Sequence, residues 1–411
     1  MTTSTTAADL TGDIPPLRRD RAVQAWVLAT GVSTLGDVVW LIGLAWTAVH
    51  IAGPGAAGLL LGLSTLPKAL LVLAGGVWAD RADARRIVLA ATAARIVVLV
   101  IGAVAYGRTS AHFAVLACVA VAFGVADGIY SPAAATLPRR MVRTEDLGPV
   151  AGMFQTAGRL ARLAGAPLGG ALVAAFGMQA TMLVDAATFV VIGVVMYAAV
   201  RPRLPHPPRS GSTWARDLTS GLGYVRRSVT VRTLVLALSG LNLFVSPALS
   251  VGLALRASGG HWGAATLGVL EAGVGLGAAA GALTATRWRP VRPAITGLLV
   301  LVVQGAAIVL LGVGPRWVAG AGVLVVGVTA GLASAFLSGA FQALVQPAYL
   351  GRTSALTSLA DDALMPVAMA GFGALAGLTS VAGACLVAGA GMALLCGWSA
   401  ARLSPRLPAP A

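Results

Sequence analysis

Ten charged side chains lie inside long apolar stretches of this 411-residue chain: Asp37, Lys68, Arg95, Asp127, Arg159, Arg162, Asp185, Glu271, Asp361 and Asp362. Asp, Glu, Lys and Arg together make up only 10% of the residues, so the placement does not follow from abundance. A charge at membrane depth is expensive and typically faces a bundle interior or a water-filled path. Two chemistries fit such groups. A carboxyl held in a partly dry passage can take and release a proton near neutral pH. An acid and a base contributed by different helices can pair in one state and part in another, which makes a switch. Other chemistries have no support: four histidines lack ligand spacing, and Cys118, Cys385 and Cys396 all sit in apolar stretches. The glycine run at 273–281 has no following Gly-Lys-Ser/Thr and is not a phosphate loop. We expect no metal, no cofactor and no enzymatic activity.

The elements that must position these groups are membrane helices. The chain is 57% hydrophobic, with a mean hydropathy of +0.86. Spans of about 20 apolar residues cross a bilayer core of roughly 30 Å. The pattern predicts twelve, near 24–49, 56–79, 87–107, 112–136, 148–174, 179–200, 232–256, 263–286, 294–314, 318–345, 354–378 and 381–402. They are numbered span 1 to span 12 below. A net charge of +15 would suggest nucleic acid in a soluble protein. Here the connections carry the charge, so it reads as a topology signal and nucleic acid is not expected. One set of alternate connections holds 22 arginines, the other only Arg108, Arg256 and Arg316. Basic connections face the cytoplasm, which puts both termini inside. Every basic residue except Lys68 is arginine, a bias that fits a GC-rich bacterial genome. The polar N-terminal stretch lacks the apolar core of a cleavable signal.

The longest connection divides the chain into a tail (1–21), a six-span half (22–200), a linker (201–231), a second six-span half (232–402) and a tail (403–411). The linker opens Pro-rich. It continues with Trp214, Leu218, Leu222 and Val225 at helical spacing, between charged residues. That predicts an amphipathic helix on the cytoplasmic face, with a solvated linker as the alternative. Spans 5 and 11 echo each other: each follows an Arg-Thr pair and has an interior proline near glycines, Pro167 and Pro366. Two related halves are a known transporter plan.

The connection after span 2 reads Gly76-Val-Trp-Ala-Asp80-Arg81-Ala-Asp-Ala-Arg85-Arg86. It resembles the G-x-x-x-D-R-x-x-R-R loop of the major facilitator superfamily, with Ala84 where a basic residue is common. The stretches ADGIYSPAAATLPRRMV, RLAGAPLGG and VDAATFVV are similar to the drug:proton antiporter branch that includes macrolide-efflux and siderophore-export proteins. Two features depart from it. The glycine-rich run Gly165-Ala166-Pro167-Leu168-Gly169-Gly170 has its proline one place late, and the arginine-glutamine motif of span 4 is missing. Proline can still bend the helix, and the paired glycines still admit a close neighbour.

The resemblance implies an all-α membrane protein in which spans 1, 4, 7 and 10 line a central cavity. Spans 2, 5, 8 and 11 then form the contact between halves. Asp37 and Asp127 fall on cavity spans, roughly 20 Å and 14 Å from the cytoplasmic ends at 1.5 Å per residue. They are the candidate proton carriers, with Glu271; a fixed Asp127–Arg159 pair is the rival reading for Asp127. Among the contact spans the bases Lys68, Arg159 and Arg162 fall in the first half, and the acids Glu271, Asp361 and Asp362 in the second. Arg162 and Glu271 share a depth of roughly 21–22 Å. We expect that pair, and Lys68 with Asp361 or Asp362, to bridge the halves in one state. Arg95 and Asp185, on peripheral spans, are expected to pair with each other or with backbone carbonyls. Asp80, with Gly76, Arg81 and Arg85, is the implied latch of the cytoplasmic face. Trp40, Tyr130, Phe244 and Phe341 are candidates to stack on a flat substrate, and Asn242 and Gln342 to hydrogen-bond it. The sequence thus predicts a monomeric, gradient-driven exporter in a bacterial plasma membrane, moving a small amphipathic drug or metabolite against protons. Two alternatives stay open: a siderophore exporter of the same fold, and a non-transporting membrane scaffold or sensor that binds a partner through the linker.

Overall fold

A computed structural model of the chain describes residues 15–75, 83–204 and 214–405. Gly76, Asp80 and Arg81 lie outside the described residues. Ten helices among the described residues are long and apolar enough to cross a membrane. Two of them are hairpins. Arg21–Gly75 breaks at Gly53 (φ 73°) and Leu147–Ala198 at Gly177 (φ 73°), a backbone conformation glycine adopts without a Cβ penalty. The packing confirms the reversals. Phe123 lies beside Trp40 while its neighbour Gly124 abuts Ser64 and Pro67, so residues 40 and 64 share one level. Likewise Gly165 and Asp185 both lie against the middle of span 1. The chain therefore makes twelve passes.

Spans 3 and 4 are Ala84–Arg108 and His112–Thr136, and span 7 is Val229–Gly259. Spans 8 to 12 are Ala264–Arg287, Pro293–Gly312, Arg316–Leu344, Pro347–Leu378 and Val381–Leu403. Among the described residues there is no strand. This is the all-α architecture the hydropathy dictates, because a helix satisfies its own backbone groups where no water is available. Span 7 loosens into a π-helical segment, Ala248–Gly252, directly after Pro247. Proline has no N–H to give, and the wider turn accommodates the missing bond.

An even number of passes puts both chain ends on one face, called here the terminal face. On it the first half is tied together by side chains. Asp20 caps span 1, accepting from the Val23 amide at 3.2 Å, and is ion-paired with Arg203 after span 6. The Arg203 and Leu204 amides donate to the Arg140 carbonyl at 2.8 and 3.0 Å. Arg140 reaches Asp83 at 3.5 Å, and Arg85 donates to the Tyr197 carbonyl at 2.6 Å. The linker carries a helix, Trp214–Arg227. It belongs to the second half: Tyr224 stacks on Tyr349 at 4.4 Å, and its hydroxyl accepts from the Gln346 amide at 3.1 Å.

The two halves meet on the other face. There span 2 packs on span 11 through Gly58 and Gly373, where a Cβ on Gly58 would sit 2.7 Å from the Gly373 Cα. Span 5 packs on span 8 through Gly170 and Gly268. His50 and Ser258 add a 3.3 Å contact between the ends of spans 1 and 7. Toward the terminal face, Gly148, Gly152 and Gly158 of span 5 have open space where a Cβ would project. The close backbone contacts between the halves thus lie toward the face opposite the chain ends.

Burial alone would push the Asp20 carboxyl up. Hydrogen bonds from Arg203 and the Val23 and Ala22 amides, with the guanidinium charge, outweigh it and hold Asp20 below its ordinary value. A carboxyl depressed in the folded state stabilises the fold above its unfolded value of about 3.9, and stops doing so as pH falls through the folded value. Asp20→Ala should therefore cost about 1–2 kcal/mol at pH 7, read as a lower thermal midpoint in detergent. The gap from wild type should close at strongly acid pH; an equal gap at both pH values would contradict this role.

Candidate functional site

Asp127 is the centre of a charge cluster inside the first half. It projects from span 4 between Gly124 and Gly128, whose missing side chains let span 2 approach. That brings the Lys68 ammonium to 3.1 Å from one carboxylate oxygen. Arg95, from span 3, is ion-paired with the other oxygen. Arg95 is only 3% exposed and lies in an aromatic box, with its guanidinium 4.2 Å from the Tyr130 ring centroid, 5.1 Å from Phe189 and 5.4 Å from Phe123. A planar, delocalised cation tolerates such a site because it can stack on ring faces while donating at its edge.

Two further carboxyls adjoin this triad. Asp37, on span 1, is half-buried and within electrostatic reach of Arg95, Asp127, Lys68 and Arg162. Among the described residues no cation lies within 4 Å of it. Asp185, on span 6, is completely buried and lies against the backbone of Gly36. Within the triad and its two adjoining carboxyls, with every group ionised, Asp37, Asp127 and Asp185 outnumber Lys68 and Arg95 by one charge, the exposed Arg162 being a more distant cation. The cluster can therefore take a proton and become neutral.

Several expected pairings take other partners. Arg159 is exposed and does not reach Asp127; the carboxylate is held by spans 2 and 3, which shared depth could not reveal. Arg95 is bound to Asp127 and not to Asp185. Lys68 is bound to Asp127 and only within electrostatic reach of Asp362. Arg162 is exposed, Glu271 is half-buried, and among the described residues no ion pair joins them. Asp361 accepts from Asn242 at 3.1 Å, which links spans 7 and 11 within the second half, while its other oxygen is buried without a partner.

The aromatic candidates scatter. Trp40 is 3% exposed and packs on Phe123 at 6.1 Å, and Tyr130 roofs Arg95. Phe341 belongs to a small apolar cluster with Val225, Val231 and Val345, beside an exposed Gln342. Phe244 is half-buried against Gly391. Gly165 and Gly169 admit span 1, whereas Gly170 and Pro167 meet Gly268 of span 8. Sequence reasoning missed Arg95 and Asp185 as members of the cluster. The signals were present: Tyr130 stands one turn beyond Asp127, and Thr188 one turn beyond Asp185, next to a glycine-aspartate pair on span 1.

A family model described as Major Facilitator Superfamily matches residues 26–369. Solved structures of similar fold include a bacterial homologue of the iron transporter ferroportin in an inward-facing state (TM-score 0.73, 16% identity, covering 94% of this chain and 100% of that one). They also include a bacterial homologue of the human lysosomal transporter Spinster, inward-facing and unoccupied (TM-score 0.70, 15% identity, 95% of each chain). The nucleoside transporter NupG is a third (TM-score 0.67, 12% identity, 93% of this chain and 99% of that one). A comparison with curated protein sequences finds no match.

The unequal burial of the two cations separates their roles. Removing one partner of a buried pair costs about 3–5 kcal/mol, and less where water can replace it. Arg95→Met should lower the thermal midpoint in detergent well beyond Lys68→Met, because Lys68 is 35% exposed. Equal losses, or a larger one for Lys68→Met, would show that the aromatic box does not anchor the cluster.

Proposed function

Because the chain belongs to the Major Facilitator Superfamily of membrane transporters, we propose that it exports a small amphipathic drug or secondary metabolite in exchange for protons. The observation that carries this reading is Asp37. It is a half-buried carboxyl with no bound cation among the described residues, beside a triad in which Lys68 and Arg95 are already engaged. Such a group can gain and lose a proton without dismantling the structure around it.

The arginine-rich terminal face is read as cytoplasmic by the charge bias of its connections. The conformation described then opens to the cytoplasm, with Gly58–Gly373 and Gly170–Gly268 sealing the outside. Substrate enters from the cytoplasm and meets Asn242, Phe244, Gln342 and the acids Glu271 and Asp361 on the second half, opposite Asp37 of the first, while Trp40, Tyr130 and Phe341 stay engaged in packing in this conformation. The second half's arginines stand near the ends of its spans and its mid-span charges are acidic, so a cationic or neutral compound suits it better than an anion. Proton binding at Asp37, with Asp127 or Glu271 as further carriers, biases the two-state equilibrium. In the outward-opening state the terminal ends close. Arg162 with Glu271, and Lys68 with Asp362 or Asp361, then pair across the halves, while Arg159 approaches the same interface. Asp80 and its loop neighbours Gly76, Arg81 and Arg85 latch that face.

Inverted vesicles test the coupling. Adding substrate should release protons in wild type and at least tenfold less in Asp37→Asn; undiminished release would rule out Asp37 as the carrier. The switch has its own test. Arg162→Glu and Glu271→Arg should each abolish transport, and the double swap should restore much of it. A double variant as inactive as the singles would end the pairing idea.

A further inference from the structure

Asp185 is the one acid of the cluster with no place in the coupling scheme above, and its surroundings are unusual for a carboxylate. The side chain is fully buried. One oxygen accepts a 3.3 Å hydrogen bond from the Thr188 hydroxyl, which also donates to the Asp185 carbonyl at 2.7 Å. The other oxygen is buried and has no hydrogen-bond partner. Gly36 explains the tightness: a side chain there would clash with both Asp185 and Thr188, so span 6 lies directly on the span 1 backbone. Among the described residues no cation binds the group. The charges facing it are Asp37 from span 1 and Arg95 from span 3, and Arg95 is ion-paired with Asp127.

An ionised carboxylate in that position would be a buried charge with one weak donor and a neighbouring acid, a cost of several kcal/mol that nothing nearby offsets. A neutral acid avoids that charge penalty and leaves only the smaller cost of one unpaired hydroxyl. We propose that Asp185 is a buried proton-binding site, holding one proton inside the first half next to Asp37. With that proton in place, Lys68 and Arg95 balance Asp127 and Asp37, and the cluster is neutral. A further proton arriving at Asp37 makes the cluster positive by one. Lys68, the more exposed of the two cations, is the member free to respond, and Asp362 of span 11 lies within its electrostatic reach. The unpartnered oxygen is the proton's place. The Thr188 hydroxyl fixes the orientation by occupying the other oxygen.

The site itself does not depend on the exporter reading; its role in coupling does, and two measurements keep them apart. Infrared spectra of purified protein at neutral pH should contain the carbonyl stretch of a protonated carboxylic acid that is lost in Asp185→Asn and retained in Asp37→Asn. Asp185→Asn replaces one neutral group by another of the same shape, so its thermal midpoint should stay near that of wild type. Should that variant not fold, Thr188→Val, which removes the hydroxyl donor but keeps the acid, should shift the same band. No band lost in Asp185→Asn, or no shift in Thr188→Val, overturns the proposal. Proton release in vesicles is read separately. An Asp185 band together with no substrate-driven proton release leaves the proton site standing and removes the antiport reading.

Discussion

Everything in the first half is arranged around two cations sharing one carboxylate. Asp127 receives Lys68 from span 2 and Arg95 from span 3, so three helices converge on a single pair of oxygens. In a medium without water such a bond is strong only while its geometry holds, and an unmatched member is costly. The glycines that bracket Asp127 and the rings that enclose Arg95 follow from that constraint. So does the fate of the neighbouring acids. With both bases engaged by Asp127, Asp37 and Asp185 have no counter-ion and must find stability in water or in a proton.

The second half is built on a different electrostatic plan. Its intramembrane charges are Glu271, Asp361 and Asp362, all acidic, and the one hydrogen bond to Asp361 comes from the neutral amide of Asn242. A half with four basic and three acidic intramembrane groups faces a half with excess negative charge. Movement of a positive charge toward the contact between them is therefore electrostatically favoured, and Lys68 is already within electrostatic reach of Asp362. The glycine seams set where movement is possible. At Gly58–Gly373 and Gly170–Gly268 the backbones touch, so the two bodies can pivot about these contacts. Toward the terminal face Gly148, Gly152 and Gly158 of span 5 have no neighbour where a side chain would project. Each half is stitched separately there, by Asp20–Arg203 and Arg140–Asp83 in one and by Tyr224–Tyr349 in the other.

The sequence by itself determined that the chain crosses a membrane twelve times, because the need to bury about 20 apolar residues per pass is a one-dimensional property. It also determined which charges lie at depth, and that the second half would be acidic. What it could not determine was azimuth. Counting residues along a helix fixes the height of a side chain and leaves its direction open, so Arg159 looked as good a partner for Asp127 as any base at that level. Only the tertiary structure decided that Lys68 and Arg95 take that carboxylate, that Trp40 and Tyr130 are spent on packing in this conformation, and that Asp185 ends up beside Gly36. The reason is physical: membrane helices pack through small residues whose exact register depends on every neighbour at once, and the pairing of buried charges follows from that register.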